Sequence, residues 1–145
     1  MTDAPMPRRA TAEDVPAMAA VVNAWVDATE WFPRDHAPEV IEGFIRDALP
    51  YREIWVIGAP VAGYLSFDPE SGRIGGLYCL RQGEGLGKAL MDAVKAGRTH
   101  LWLQTHVPNL RAQAFYRREG FVQVGGEITP EPPDTVPELR MEWRA

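Results

Sequence analysis

The sequence predicts a mixed α/β domain: a largely antiparallel sheet of about six to seven strands with a parallel central pair, and helices on both faces. Three observations carry this. Two amphipathic helical stretches near the N-terminus give way, after Pro50, to three consecutive strand-like stretches. A helix and then another strand follow, as a right-handed parallel crossover requires. The chain has 145 residues, 46% hydrophobic and 24% charged, which suits one core rather than two. Residues 1–145 are therefore read as a single domain.

The elements follow in order. "MPRRA" reads as a short first strand. "TAEDVPAMAAVVNAWVDA" opens on Thr11 as N-cap with Asp14 at the capping-box position, and Val15, Met18, Ala19, Val22 and Val26 recur at helical spacing. "PEVIEGFIRDAL" reads as a second helix that ends before Pro50. "YREIWVIG" and "VAGYLSFD" are rich in β-branched and aromatic residues and are joined as a hairpin; "PESG" is a turn into the strand "RIGGLYCL". "LGKALMDAVKAG" sets Leu86, Ala89, Leu90, Ala93 and Val94 on one stripe, with Gly97 as C-cap. "HLWLQTHV" reads as a central strand and "NLRAQAFYRREG" as a helix closed by Gly120. "FVQVGG" and "ELRMEW" are the last strands, with the Pro-rich "EITPEPPDTVP" as a loop between them.

Composition narrows the function. A net charge of −5 speaks against non-specific binding to nucleic acid or to an anionic membrane, so neither partner is expected. The single Cys79 cannot form an internal disulfide and suits a reducing compartment. No apolar run is long enough to span a bilayer, and "MTDAPMPRRATAEDVPAM" lacks an apolar signal core, so a cytoplasmic location is expected. No residues have metal-ligand spacing, and no metal is expected.

The most informative stretch is "RQGEGLGKAL", residues 81–90. A glycine-rich turn into a helix offers bare N–H groups at the positive end of the helix dipole, which is an anion site. Two nucleotide motifs do not fit. A P-loop would need glycine at 82 and serine or threonine at 89, where the chain has Gln82 and Ala89. A dinucleotide fingerprint starting at Gly83 and Gly85 would need a third glycine where Lys88 stands.

"Gln82-Gly83-Glu84-Gly85-Leu86-Gly87" resembles the Gln/Arg-x-x-Gly-x-Gly/Ala motif of the GNAT N-acetyltransferase superfamily. Asn109, Ala112, Phe115, Tyr116, Gly120 and Phe121 form a second block similar to that family's Asn-x-x-Ala-x-x-Phe-Tyr-x-x-x-Gly-Phe segment. The predicted element order is also similar to the family's across nearly the whole chain. The stretch "LYCLRQGEG" between strand and glycines is shorter than in many members.

The resemblance implies a transferase that uses acetyl-CoA as co-substrate and acetylates a primary amine by direct attack in a ternary complex. Its phosphates would lie on the loop Gln82, Gly83, Glu84, Gly85, Leu86, Gly87, Lys88 and Ala89. Its pantetheine arm would lie along Leu77, Tyr78 and Cys79, with a backbone N–H such as that of Cys79 on the thioester oxygen. Asn109, Ala112 and Tyr116 share a helix face. Asn109 would bond the pantetheine arm and Phe115 would line it. Tyr116 would be the catalytic acid toward the leaving thiolate. Trp31, Phe32 and His36 would line the acceptor site, with Trp25 nearby; these aromatics equally suit closure of the core under a long loop.

No carboxylate occupies the fourth-strand position where some relatives carry a glutamate. Glu30, His36, Asp134 and Glu138 are alternatives for the base, each otherwise a solvated surface group, and His100 and His106 read as structural. The acceptor is a small-molecule or peptide amine, and the acidic balance suits a cationic one. The family leaves a homodimer through the C-terminal strands open. The competing reading is a non-catalytic acyl-CoA-binding sensor or regulatory module.

Overall fold

The computed structural model describes residues 5–145. Seven strands form one sheet in the order β1-β2-β3-β4-β5-β7-β6. They are β1 (Arg8–Arg9), β2 (Glu53–Ile57), β3 (Gly63–Asp68), β4 (Arg73–Cys79), β5 (His100–His106), β6 (Val122–Ile128) and β7 (Glu138–Arg144). The helices are α1 (Val15–Ala28), α2 (Pro38–Ala48), α3 (Leu86–Lys95) and α4 (Leu110–Arg118). Every neighbouring pair is antiparallel except β4 and β5, which are parallel and joined through α3. This is the predicted mixed sheet. Among the described residues, no helix is long and apolar enough to cross a membrane.

Strand alternation divides the core into two layers. Ile54, Val56 and Tyr64 pack with Val15, Met18 and Val22 of α1. Ile57, Leu65, Phe67 and Ile74 face the other way, onto Leu90, Met91 and Val94 of α3 and Phe121 after α4. Met91 joins the predicted α3 stripe and is fully buried, whereas Ala93 is half-buried.

Two boundaries differ from expectation, whereas α2 ends at Ala48, before Pro50, as expected, and a separate 3-10 turn, Leu49–Tyr51, carries the chain through the proline. Proline is tolerated there because the first N–H groups of a helical turn need no intrahelical partner. The stretch read as a loop from Glu127 begins as strand, since β6 runs on to Ile128 through an irregular register after Val124, with Gly125 at φ 77°. The helix start at Thr11 is a short 3-10 turn, Ala12–Asp14, leading into α1. Its cap is as predicted in one respect: the Asp14 carboxylate accepts from the Thr11 N–H at 2.8 Å.

Candidate active site

The two parallel strands part soon after they meet. β4 and β5 pair only at Arg73↔Trp102 and Ile74↔Leu103. Beyond that point β4 stays with β3 as far as Cys79, and β5 stays with β7 as far as His106. The register between β3 and β4 skips Gly75, a bulge beside the place of divergence. From Gly76 to Cys79, β4 therefore presents backbone toward β5 without a strand partner there, and such groups require one. A cleft of about 320 Å³ opens at this split, between the start of α3 and the length of α4.

The glycines of the loop have different jobs. Gly83 and Gly85 have φ of 76° and 75°, in the left-handed region that other residues avoid. A Cβ at either would meet nothing within 4 Å, so the requirement is conformational and the space above them is open. Gly85 is the N-cap of α3 and no side chain caps it, which leaves the first N–H groups of the helix free to bind an anion. Gly87 answers to packing instead: a Cβ there would come within 3.3 Å of the Phe115 ring. It lets α3 lie close against α4.

Gln82, Gly83, Gly85, Gly87 and Lys88 all line the cleft. Glu84, Leu86 and Ala89 do not bring their side chains to it. Glu84 is held by Arg81 at 2.7 Å, Leu86 is buried in the core, and Ala89 packs against that core, so each has only its backbone to offer. Lys88 lies 3.4 Å from Asp92 and 3.6 Å from Glu119 and is partly neutralised. Two cations not singled out in the sequence, Arg111 and Arg118 of α4, also line the cleft. Their spacing with Phe115, four and three residues apart, was the available signal.

The opposite wall carries Leu77, Tyr78, Cys79, Asn109, Ala112, Phe115 and Tyr116. Burial, with Tyr78 and then Cys79 adding to it, pushes the Tyr116 hydroxyl well above its ordinary value, so it remains a proton donor at neutral pH. Burial raises the Cys79 thiol to about 11, which keeps it protonated and unsuited to nucleophilic attack. Asn109 has a further task beyond the one expected. Its Oδ1 accepts from the Ala112 N–H at 3.1 Å and caps α4, so only its Nδ2 is left to meet a ligand.

A second cavity, about 390 Å³, lies on the α1–α2 face of the same strands. Phe32 and His36 line it, as do Asp35 and Asp134. Trp31 does not: it packs edge-on against Trp25, with ring centroids 5.7 Å apart, and against His106 at 5.4 Å. Arg34 fastens the loop by donating to Asn23 Oδ1 and Asp27 Oδ1, both at 2.8 Å. Of the four residues weighed as bases, His36 and Asp134 line this cavity, whereas Glu30 and Glu138 do not. His100 Nε2 is hydrogen-bonded to Glu142 Oε1 at 2.7 Å. His106 lies inside the aromatic cluster, 5.1 Å from Phe32 between ring centroids. Burial lowers its pKa against the upward pull of Glu138 and Asp134.

Trp25 and Tyr78 line both cavities. Tyr78 lies opposite Tyr64 in the β3–β4 register, and their rings stack at 5.6 Å. Two compartments on opposite faces of β4 thus meet at two aromatic side chains beside the split in the sheet. One is bounded by uncapped amides at the start of α3 and a buried phenol, the other by aromatics and carboxylates.

The sequence profile of the acetyltransferase (GNAT) domain matches residues 50–123, half of the chain. The peptidyl-lysine N-acetyltransferase YiaC of Escherichia coli (strain K12) is 26% identical over 126 residues, covering 80% of this chain and 82% of its own. The solution structure of apo-form YjaB from Escherichia coli superposes with a TM-score of 0.77 at 21% identity, covering 99% of this chain and 98% of that one. The structure of yncA from Salmonella typhimurium with its cofactor acetyl-CoA gives 0.72 at 18% identity, over 98% and 94%.

Proposed function

The chain belongs to the acetyltransferase (GNAT) family, and on that premise we propose that it transfers an acetyl group from acetyl-CoA to a primary amine by direct attack in a ternary complex. The observation that carries this reading is the pair of cavities that share Trp25 and Tyr78 at the split between β4 and β5. Two substrates approaching from opposite faces of one strand can meet there without a covalent enzyme intermediate. Cys79, protonated and half-buried, is not needed as a nucleophile.

The chain's own groups divide the work. Free N–H groups from Gly83 to Lys88 hold the pyrophosphate at the start of α3, with Arg111 and Arg118 adding positive charge. The unpaired backbone of Leu77 to Cys79 aligns the pantetheine arm, and one N–H of that stretch donates to the thioester oxygen as it gains charge. Asn109 Nδ2, Ala112 and Phe115 bound the arm on the α4 side. The amine nitrogen attacks the carbonyl carbon; the C–N bond forms, the C–S bond breaks, and the sulfur leaves with the electron pair. The amine gives up one proton, which His36 or Asp134 accepts directly or through water, and Tyr116 donates toward the sulfur. The products are an amide and free CoA thiol.

The test is a thermal melt with acetyl-CoA and with CoA. Ligand at a hundred times its Kd stabilises by about 2.7 kcal/mol. A saturable shift, lost when Gly85 is replaced by a bulky residue, is expected, followed by amine-dependent release of CoA. No shift at millimolar ligand in folded protein overturns the reading.

A further inference from the structure

The acceptor cavity does not end at α2. A third hollow, about 340 Å³, continues along the same face of β4 and shares Phe44, Ile45, Tyr64, Gly75 and Tyr78 with it. The two form one groove from Tyr78 back toward the start of the strand. Its charge is polarised. At the Tyr78 end the groove carries Asp35 and Asp134, while Arg34 is already paired with Asp27 at 2.8 Å. At the far end it carries Arg52 and Arg73 and no carboxylate.

The two arginines are not equivalent. Arg52 has Asp68 at 3.2 Å. Arg73 has no carboxylate partner among the described residues. Its Nη2 reaches Gln104 Oε1 at 3.4 Å, and its Nε is sealed from solvent without a hydrogen-bond partner. Among the described residues, that Nε is the one fully buried side-chain nitrogen or oxygen left in this condition. The guanidinium is positioned by stacking instead: it lies 5.2 Å from the centre of the Trp102 ring, which also carries Arg140 at 3.9 Å and is fixed by its own N–H on the Ser71 carbonyl at 2.9 Å. A half-buried guanidinium with neither counter-ion nor full hydrogen bonding is costly and calls for a reason. The part of Arg73 that lines the hollow, in front of the sealed Nε, carries an uncompensated charge suited to a carboxylate.

We propose that the acceptor is bifunctional, with a primary amine at the Trp25–Tyr78 end of the groove, an apolar body between Phe44, Ile45 and Tyr64, and a carboxylate at Arg73. This rests on the acetyltransferase reading above and names its substrate class. Arg73 and Tyr78 face Asp68 and Tyr64 of β3, four residues apart, because the bulge at Gly75 takes up one residue of β4; the separation is about 13 Å at the usual rise. The amine and the carboxylate are therefore separated by a side chain's length or a short peptide, not by the single carbon of an α-amino acid's own amine. An acidic rim beside the reacting amine and a cation at the far end select this arrangement over a simple alkylamine or a polyamine.

The experiment uses matched pairs, aminohexanoate with hexylamine and aminooctanoate with octylamine, and follows CoA release. In the wild-type protein the carboxylate member of the better pair should show kcat/KM about tenfold higher, in line with a charge-assisted hydrogen bond. Arg73→Gln should bring that ratio close to one while acetyl-CoA still raises the melting temperature, and Arg73→Lys should retain part of it. Equal rates within each wild-type pair, or an undiminished ratio in Arg73→Gln, overturn the inference and leave the acetyltransferase intact. If neither pair is turned over, the amino acids must still raise the melting temperature of CoA-saturated protein more than the alkylamines do; a failure there also overturns it. Absence of any acetyl-CoA shift instead removes the underlying function.

Discussion

Tyr116 shows what one buried hydroxyl can and cannot do. It is 8% exposed, and its surroundings hold it protonated well above the ordinary value for tyrosine. A thiol has a pKa of roughly 8.5, so full transfer from the phenol to a free thiolate runs uphill. In the proposed reaction the group instead donates a hydrogen bond that strengthens as charge builds on sulfur, and its proton moves only as the C–S bond breaks. Tyr116→Phe should lower kcat by about 10- to 100-fold with little change in the acetyl-CoA melt shift. Unchanged kcat, with chemistry shown to be rate-limiting by pre-steady-state mixing, removes the donor role. The raised pKa also means that titration of Tyr116 contributes no loss of activity between neutral pH and about pH 10.

Elements are held in place by similarly local arrangements. The first turn before α1 is tied to β1 by Arg8, whose Nη1 and Nη2 donate to the two oxygens of Asp14 at 2.8 and 2.7 Å. That side-chain bond, opposed by burial and aided by the Thr11 N–H, lowers the Asp14 pKa to about 2. A depressed carboxylate stabilises the fold above its unfolded pKa, near 3.8, and the contribution is lost as pH falls from there through 2. Arg8 is half-exposed, so the contribution is about 1–2 kcal/mol after solvent screening. Asp14→Asn should cost that amount in urea unfolding at pH 7, and its gap from wild type should narrow between pH 4 and pH 2. A gap that stays constant over this range would assign the loss to the cap hydrogen bond rather than to charge. Gly87 is the counterpart at α3, where a missing side chain lets α3 and α4 close on one cleft.

For the whole molecule, β4 is the partition. One of its faces looks into the α3–α4 layer and the glycine loop, the other into the α1–α2 layer and the groove proposed for the acceptor. Trp25, projecting from α1, is common to both compartments, and Phe32 lines the α1–α2 cavity alone. Trp25→Ala should therefore raise both the acceptor KM and the acetyl-CoA Kd, each by about tenfold, as expected when a large aromatic contact is removed. Phe32→Ala should raise the acceptor KM and leave acetyl-CoA binding alone. Steady-state kinetics beside titration of acetyl-CoA distinguish the two. Equal effects of both variants on both ligands would mean that the compartments are not separate.

Local chemistry was sufficient for much of this. Helical spacing from Val15 to Val26, the glycines before α3, and the Asn109-to-Phe121 block sit in the sequence as contiguous patterns, because each expresses a helix face, a turn or a cap whose parts lie within a few residues of one another. The parallel crossover followed from the order strand, helix, strand. What required the tertiary structure was everything set by pairing across the chain. The early divergence of β4 from β5 has no local signature, since it depends on which strand each prefers to follow. Tyr64 meets Tyr78 through register alone, His106 joins Trp25 and Phe32 from a distant strand, and Asp134 reaches the α1–α2 cavity from a loop beyond β6. The unmatched charge of Arg73 is likewise a property of its surroundings, because a counter-ion can come from anywhere along the chain and only the folded molecule shows that none does among the residues described.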